Sequence, residues 1–237
     1  MLKSLWVALA LLALTPAAPA ATPERWTAHQ GALVTIGPDG RVQEAELVNS
    51  GLSSAMQQEL LQRVRKASFE PATVNGEPVV AKTRLNLRLV VDAKPEGLAL
   101  LVDAIDISAS VRKSSPPRYP PAQLRAGKGA VVSLRIDYDA QGRVTQVEPA
   151  ESGAREDSFL DAASRAARRW VMEPEQVAGH GVAGSAIVPV AFSVEGSDDN
   201  GELTFPDGGV LVVHKVAQPQ YQLLTSQVRL RSLDSAL

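Results

Sequence analysis

An internal repeat limits the folds available to this chain more than any other feature of its sequence. Two glycines that each open the second strand of a predicted hairpin lie 102 residues apart, and a Glu-Pro pair recurs after 103 residues. The matching positions are Gly40 and Gly142, Gly51 and Gly153, and Glu70-Pro71 and Glu173-Pro174. A fixed period of this kind indicates two copies of one structural unit, with one residue inserted ahead of or within the second helix.

Each copy has the pattern strand–strand–helix–strand. The strand that closes the first unit alternates apolar and polar residues over residues 81–91, which is typical of a sheet with one buried face. The corresponding strand of the second unit, residues 186–194, is mostly apolar, with every second residue expected on the inner face. In each unit the helix ahead of the closing strand carries an apolar stripe at helical spacing. We therefore predict an α+β fold of two tandem ββαβ units, each a three-stranded antiparallel sheet with one helix on one face.

The predicted units have the following boundaries. The first repeat unit covers residues 24–95 and the second repeat unit covers residues 116–195. Residues 96–115 between them are predicted to be a strand-like linker, and residues 196–237 a C-terminal hairpin and tail. Alternation fails between Val42 and Ala45, and again between Val144 and Val147. A β-bulge at the same place in both hairpins would explain this failure.

The N-terminal residues have the pattern of a signal peptide. A positive start is followed by an apolar run from Leu5 to Leu14, and Pro16 and Pro19 stop any helix that would continue it. Small residues at positions 18 and 20 are suitable for cleavage before Ala21. Because a membrane span needs about 20 apolar residues, we expect residues 1–20 to be removed and the protein to be periplasmic. The alternative is an uncleaved inner-membrane anchor.

Composition excludes several classes of function. The net charge of −2 and the pI near 6.0 provide no basic surface for nucleic acid or an anionic membrane. The chain has no cysteine, so disulfides and thiolate chemistry are excluded. No small-molecule substrate and no cofactor is evident from the sequence.

The residues that could carry chemistry are better explained by structural roles. His29, His180 and His214 are each isolated in the sequence, so a metal site would need three separate regions to converge. The acidic residues near position 156 suit the first turn of a helix. Ser152 lies in a break after a strand, with no His-Asp set around it. We therefore predict no catalytic residue, no metal ligand and no enzymatic activity.

The second repeat unit contains an ordered set of short motifs, whose residues are Tyr119, Pro120, Gly142, Gly153, Glu173 and Pro174. This ordered set resembles the TonB C-terminal domain family, the family of energy-transducer TonB-like proteins. The first repeat unit resembles the later two-thirds of the same pattern. Tyr119 either packs on the sheet or contacts a partner.

The resemblance implies a periplasmic domain that binds a protein partner and does no chemistry. Domains of this family take an extended peptide of an outer-membrane receptor onto the edge of their sheet. The expected edge is the last strand of the second repeat unit. A proline is tolerated at such an edge, although it also blunts the edge against aggregation. The predicted edge residues are Ala186, Val188, Pro189, Val190, Phe192 and Val194.

The chain departs from a complete energy transducer, because it has a predicted signal peptide and lacks a long Pro-rich linker. The main hypothesis is therefore a stand-alone binding module in TonB-linked transport. Two alternatives stay open. One is a structural envelope scaffold, such as a strand-swapped homodimer. The other is an anchored transducer, if the N-terminal segment is uncleaved.

Overall fold

The computed structural model describes residues 25–94, 97–151, 158–194, 200–204, 210–214 and 220–232. The signal-peptide prediction falls on residues 1–20 and lies outside the described residues, as does Gly153. The described part of the chain has mixed α and β structure with antiparallel sheets, which confirms the predicted α+β class.

The described residues in the first half of the chain form eight strands and one helix. They are β1 (Arg25–Ile36), β2 (Val42–Val48), α1 (Ser54–Lys66), β3 (Ser68–Glu70), β4 (Thr73–Val74), β5 (Glu77–Pro78), β6 (Ala81–Lys94), β7 (Gly97–Ser108) and β8 (Val111–Lys113).

In the second half, the part of the chain that the structure describes forms ten strands and two helices. They are α2 (Pro121–Arg125), β9 (Ala130–Tyr138), β10 (Val144–Pro149), α3 (Ser158–Ala167), β11 (Val171–Met172), β12 (Gln176–Val177), β13 (His180–Gly181), β14 (Gly184–Phe192), β15 (Asn200–Thr204), β16 (Val210–His214), β17 (Gln222–Leu223) and β18 (Arg229–Ser232).

The first repeat unit is built on the sheet β2-β1-β6-β7, in which every neighbouring pair is antiparallel. Helix α1 begins after Ser53, whose hydroxyl accepts a hydrogen bond from the backbone N–H of Met56. The apolar face of α1 packs Leu60 and Val64 into a core with the inward residues of β1 and β6, including Leu85 and Leu87. Burial of this stripe holds the helix on one face of the sheet.

The second repeat unit is built in the same way on the sheet β10-β9-β14-β17. Helix α3 packs Phe159, Ala163 and Ala166 against the inward residues of β9 and β14, such as Leu134 and Val188. In both sheets three strands lie side by side in the order second–first–third, as β2-β1-β6 and as β10-β9-β14. Each sheet is larger than the three strands predicted, because the third strand has a further neighbour: β7 pairs with β6, and β17 pairs with β14.

The repeat extends to local irregularities. The register of β1 on β2 shifts between Thr35 and Ile36, so that no residue of β1 lies opposite Gln43. The register of β9 on β10 shifts in the same way, so that no residue of β9 lies opposite Thr145. These two residues are 102 positions apart, and the predicted bulge in both hairpins is confirmed. Gly40 and Gly142 have φ values of 77° and 82°, and a Cβ atom on either would collide with the carbonyl oxygen of Phe69 or Met172.

Residues 97–108, within the predicted linker, form the long strand β7 of the first sheet, paired with β6 from Lys94–Gly97 to Arg84–Ser108. Farther along the chain, β15 and β16 pair antiparallel. Strand β16 also joins the first sheet, where His214 pairs with Thr27. Sequence reasoning missed these pairings because hydrophobic alternation identifies a strand but does not identify its neighbour.

The two units are connected through exchanged strands. Strand β8, which follows β7, pairs with β11 of the second unit, and β18 pairs with β3 of the first unit. Strand β12 of the second unit pairs with β6, and Val177 lies in the core of the first unit. Val228 beside β18 is also fully buried in that core. Each hydrophobic core therefore contains residues from outside its own repeat.

Candidate functional site

The predicted binding edge, β14, lies between β9 and β17 in the second sheet. It pairs with β9 over its whole length, from Gly184–Tyr138 to Phe192–Ala130. On its other side it pairs with β17 through only two positions, Ala186–Leu223 and Ile187–Gln222. Among the described residues, no strand pairs with residues 188–192 on that side, so five residues of this strand form an edge. Val194 lies beyond the end of the strand.

The side chains of β14 divide into two groups. Ala186, Val188, Val190 and Phe192 are buried in the core beneath α3, and Val188 is 0% exposed. Pro189 is half-buried and Ala191 is exposed, on the opposite face of the sheet. Most of the predicted edge residues therefore hold the unit together, and the side chains near a partner would be those of Pro189 and Ala191.

The backbone groups of β14 alternate in the direction they face. Ser185 faces β17, because its carbonyl accepts a hydrogen bond from the N–H of Leu224 at 2.8 Å. In an antiparallel ladder every second residue faces the same neighbour. Pro189 and Ala191 therefore turn their backbone groups to the open edge. Pro189 has no N–H, so the edge offers two carbonyl groups and one amide donor.

The two repeat units differ in how this edge is covered. Ala81 on β6 pairs with Ile36, and Gly184 on β14 pairs with Tyr138, which lies one repeat spacing of 102 residues after Ile36. Strands β6 and β14 are therefore equivalent, and their residues correspond at a spacing of 103. In the first unit, β7 covers β6 from Arg84 onward. The position that corresponds to Arg84 is Ile187, where β17 stops. The edge that the first unit fills with its own chain is thus open in the second unit.

A cleft of about 530 Å³ adjoins the open edge. Pro189, Val190 and Ala191 line one side of it. The first repeat unit contributes the outer face of its sheet, the segment around β8 contributes serines and prolines, and Trp170 and Tyr221 supply aromatic surface. The indole N–H of Trp170 donates to the carbonyl of Ser115 at 2.9 Å, which fixes the ring at the wall of the cleft.

The charged side chains among the described residues that line the cleft are of one sign. Arg84 is its one cationic Lys or Arg side chain among the described lining residues, and none of those residues is Asp or Glu. Burial raises the pKa of Tyr221 and the Arg84 charge lowers it, with burial the larger effect. His29 is hydrogen-bonded through Nδ1 to the amide of Asn86 at 3.1 Å. The cleft therefore favours a negatively charged group over a positive one.

The tail clasp (residues 220–232) limits the length of the open edge. It contains β17 and β18, so that it spans from the second sheet to β3 of the first unit. The buried carboxylate of Glu175 holds its middle, accepting hydrogen bonds from the Ser226 hydroxyl at 2.9 Å and the Gln227 N–H at 2.6 Å. The hydroxyl of Ser108 donates to the carbonyl of Tyr221 at its start.

The motif residues have structural roles. Tyr119 packs edge-on against Phe159 and Phe192, with ring centroids 5.7 and 5.5 Å away, and its hydroxyl donates to the carbonyl of Lys128. Packing is thus the observed role of this tyrosine. Pro120 caps the short helix α2. Pro174 packs beside the turn at Gly142, and the N–H of Glu173 donates to the carbonyl of Ser110.

Sequence reasoning missed Arg84, Glu175 and Gln222. Arg84 is predicted as an outward residue of an alternating strand, and nothing in the sequence distinguishes it from Lys82 or Arg88. Glu175 follows the Glu173-Pro174 motif and carries no signal of burial. Gln222 lies in a tail whose secondary structure was ambiguous. Their proximity to β14 depends on contacts between distant segments of the chain.

The described residues show no arrangement suited to metal binding: no group of three or more His, Asp or Glu side chains lies close enough to hold an ion. His29 lies on β1, His180 on β13 and His214 on β16. No helix in the part of the chain that the structure describes is long and apolar enough to cross a membrane.

The fold and the edge define the class: an α+β protein of two helix-backed antiparallel sheets, one of which has an incomplete edge beside a cleft. The profile of the family described as Gram-negative bacterial TonB protein C-terminal matches residues 19–89 and 115–194, more than half of the chain. The chain belongs to this TonB C-terminal family. Both repeat units are matched.

Two curated relatives carry the name "Protein TonB", from Xanthomonas campestris pv. campestris strains B100 and ATCC 33913. Each is 46% identical to this chain over 94 residues, which cover 38% of the chain and 41% of the relative. The match thus spans about two-fifths of the length of the relatives.

Proposed function

We propose that this protein is a periplasmic, TonB-like binding module, which pairs the open edge of β14 with an extended peptide of an envelope protein. An outer-membrane receptor in TonB-linked transport is the partner that the family membership favours. One observation carries the proposal: β7 occupies the corresponding edge of the first unit, and residues 188–192 of the second unit have no such strand among the described residues.

Strand addition supplies backbone hydrogen bonds that do not depend on the peptide's sequence. With two carbonyls and one amide facing outward, an added strand gains about three such bonds. Each contributes about 1 kcal/mol net, so together they give about 3 kcal/mol. A micromolar complex needs about 8 kcal/mol. Side-chain contacts in the cleft must therefore supply most of the affinity, and the module selects its partner by side chains.

The function is binding and not catalysis. The polar side chains in the cleft are serines, amides, the guanidinium of Arg84, the imidazole of His29 and the aromatic Trp170 and Tyr221, with no Asp or Glu among the described lining residues. The hydroxyl of Ser185, at the start of the same strand, donates to the carboxylate of Asp137. The Nδ1 atom of His29 is hydrogen-bonded to the amide of Asn86, and this chemistry is suitable for holding a chain.

The test uses a peptide copied from β7, residues 97–108, because this sequence already forms a strand on the corresponding edge. The peptide carries fluorescein on a Gly-Ser linker and is titrated with the full chain by fluorescence anisotropy. Ala191→Pro removes the one outward amide donor and places a ring where the new strand would lie. We expect it to weaken binding at least tenfold.

Ala191→Ser is the matched control, since it alters the same exposed side chain and keeps the amide; it should bind within twofold of the wild type. The absence of any binding, or equal binding by Ala191→Pro, would reject the proposal. Light scattering over the same concentrations decides the alternative of self-pairing: a dimer that Ala191→Pro abolishes would assign the edge to a second copy.

A further inference from the structure

The placement of Arg84 points to a more specific role for the cleft. Arg84 lies on the outer face of β6, and its guanidinium rests against the backbone of Gly31: a Cβ atom on that glycine would be 2.8 Å from Nη2. A glycine at position 31 therefore leaves the space in which the guanidinium lies. The group is half-buried and contributes to the wall of the cleft that faces Pro189 and Ala191.

Arg84 differs from the next outward arginine of the same strand. Arg88 forms an ion pair with Asp103 of β7, with 2.7 Å between Nη2 and Oδ2. Arg84 pairs in register with Ser108, and its recorded side-chain contact is a 3.4 Å hydrogen bond from Nη1 to the hydroxyl of Ser110. Within the described residues it has no carboxylate partner. A guanidinium has five N–H donors, so most of those of Arg84 have no protein acceptor among the described residues.

The position of the open edge determines which peptide residues could reach this group. Side chains of paired residues in a sheet project to the same face. Peptide residues opposite Pro189 and Ala191 would therefore project to the side of the sheet on which those two residues line the cleft with Arg84. Residues opposite Val188 and Val190 would project to the face that α3 covers.

We propose that Arg84 makes this module selective for a peptide with an acidic side chain opposite Pro189 or Ala191. The inference rests on the proposed strand addition and adds its specificity: the first repeat unit supplies the selecting group for a peptide bound by the second. A carboxylate matches the planar fork of a guanidinium and can accept two parallel hydrogen bonds. The attraction between the carboxylate and the guanidinium is also screened less at a half-buried position than in bulk water.

Two peptides test the charge preference directly. In the register of β7 on β6, Asp106 pairs with Asn86, whose counterpart in the second unit is Pro189. The probes are the 97–108 peptide with Asp106 and the same peptide with Asp106→Asn, with Asp103→Asn in both. We expect the full chain to bind the Asp106 peptide about tenfold more tightly, and this preference to decrease between 50 and 500 mM NaCl.

Arg84→Gln should abolish the preference while the amide peptide still binds, and Arg84→Lys should restore part of it. Lys82→Gln is the matched control. It removes one positive charge from an exposed position on the same strand and face, outside the cleft, and should keep the tenfold preference. A far-ultraviolet dichroism spectrum identical to that of the wild type verifies the fold of each variant.

The outcomes separate the two proposals. Binding of both peptides with equal affinity, or a preference that survives Arg84→Gln, would overturn the role of Arg84 and leave strand addition intact. If neither peptide binds, strand addition is rejected and the selectivity is rejected with it.

Discussion

The carboxylate of Glu175 accepts a hydrogen bond from the backbone N–H of Gln227 at 2.6 Å, linking residues 52 positions apart in the chain. A second bond, from the hydroxyl of Ser226, uses its other oxygen. Glu175 is 6% exposed, so these two bonds satisfy a charge that would otherwise be buried without partners. The contact fixes the tail clasp against the second repeat unit and so sets where the open edge begins.

Glu175→Gln should destabilise the protein and loosen the tail clasp. Hydrogen bonds to a charged group contribute about 1.5–3 kcal/mol each, and a neutral amide replaces a carboxylate acceptor with a donor on one side. We expect a loss of about 2 kcal/mol in the free energy of unfolding by urea titration, with faster tryptic cleavage at Arg229. Glu173→Gln is the control, since that side chain is exposed and should change stability by less than 0.5 kcal/mol.

A carboxylate introduced into β14 should prevent folding at Val188 and be tolerated at Ala191. Val188 is fully buried beneath α3, so Val188→Asp places an unpaired carboxylate in the core and should prevent the second unit from folding. Ala191→Asp adds the same charge to an exposed position on the strand and should leave the dichroism spectrum and the melting temperature within about 2 °C of the wild type. A stable, folded Val188→Asp variant would contradict the position of this strand.

Gly142→Ala should be more damaging than a comparable change at Gly179. Both glycines have positive φ, 82° and 80°, and an L residue in this region costs roughly 1–2 kcal/mol. A Cβ on Gly142 would also collide with the carbonyl of Met172, whereas a Cβ on Gly179 meets no atom within 4 Å. We expect Gly142→Ala to lower the free energy of unfolding by at least 1 kcal/mol more than Gly179→Ala. Equal losses would exclude the steric contribution.

Stability should decrease in alkaline solution because of Tyr138. Burial, and secondly the charge of Glu175, raise the pKa of Tyr138 from 10.0 to about 12. The folded state therefore keeps a proton that the unfolded state loses, so this stability is complete below pH 10 and is lost as the pH rises to 12. The loss by pH 11 is about 1 kcal/mol. Tyr138→Phe should reduce the difference between the free energies of unfolding at pH 8 and pH 11, measured by urea titration.

Several features could be predicted from sequence because they depend on neighbouring residues. The helix stripe of Phe159 and Ala163, the alternation in β6 and the turn at Gly142 each follow from spacing or from a backbone angle that glycine alone adopts easily. The repeat also made the paired bulges at Gln43 and Thr145 predictable, since the same failure of alternation occurred twice. The α+β class follows from these local patterns.

The composition of the edge depended on tertiary structure. Residues 186–194 look like one continuous apolar strand, yet the tail covers Ala186 and Ile187, the core buries Val188 and Val190, and only Pro189 and Ala191 turn outward at the open part. Hydrophobic alternation specifies which face of a strand is buried, but a strand's neighbours are chosen by chain segments far away in sequence.

The sequence by itself therefore determined two helix-backed antiparallel units of the TonB C-terminal type, because their patterns are local and occur twice. Tertiary structure alone decided that β7 closes the edge of the first unit while the tail clasp leaves that of the second partly open. It also decided that Arg84 of the first unit lies beside that opening. Backbone pairing is non-local, and it depends on which distant segment can bury its apolar face and satisfy its hydrogen bonds at that edge.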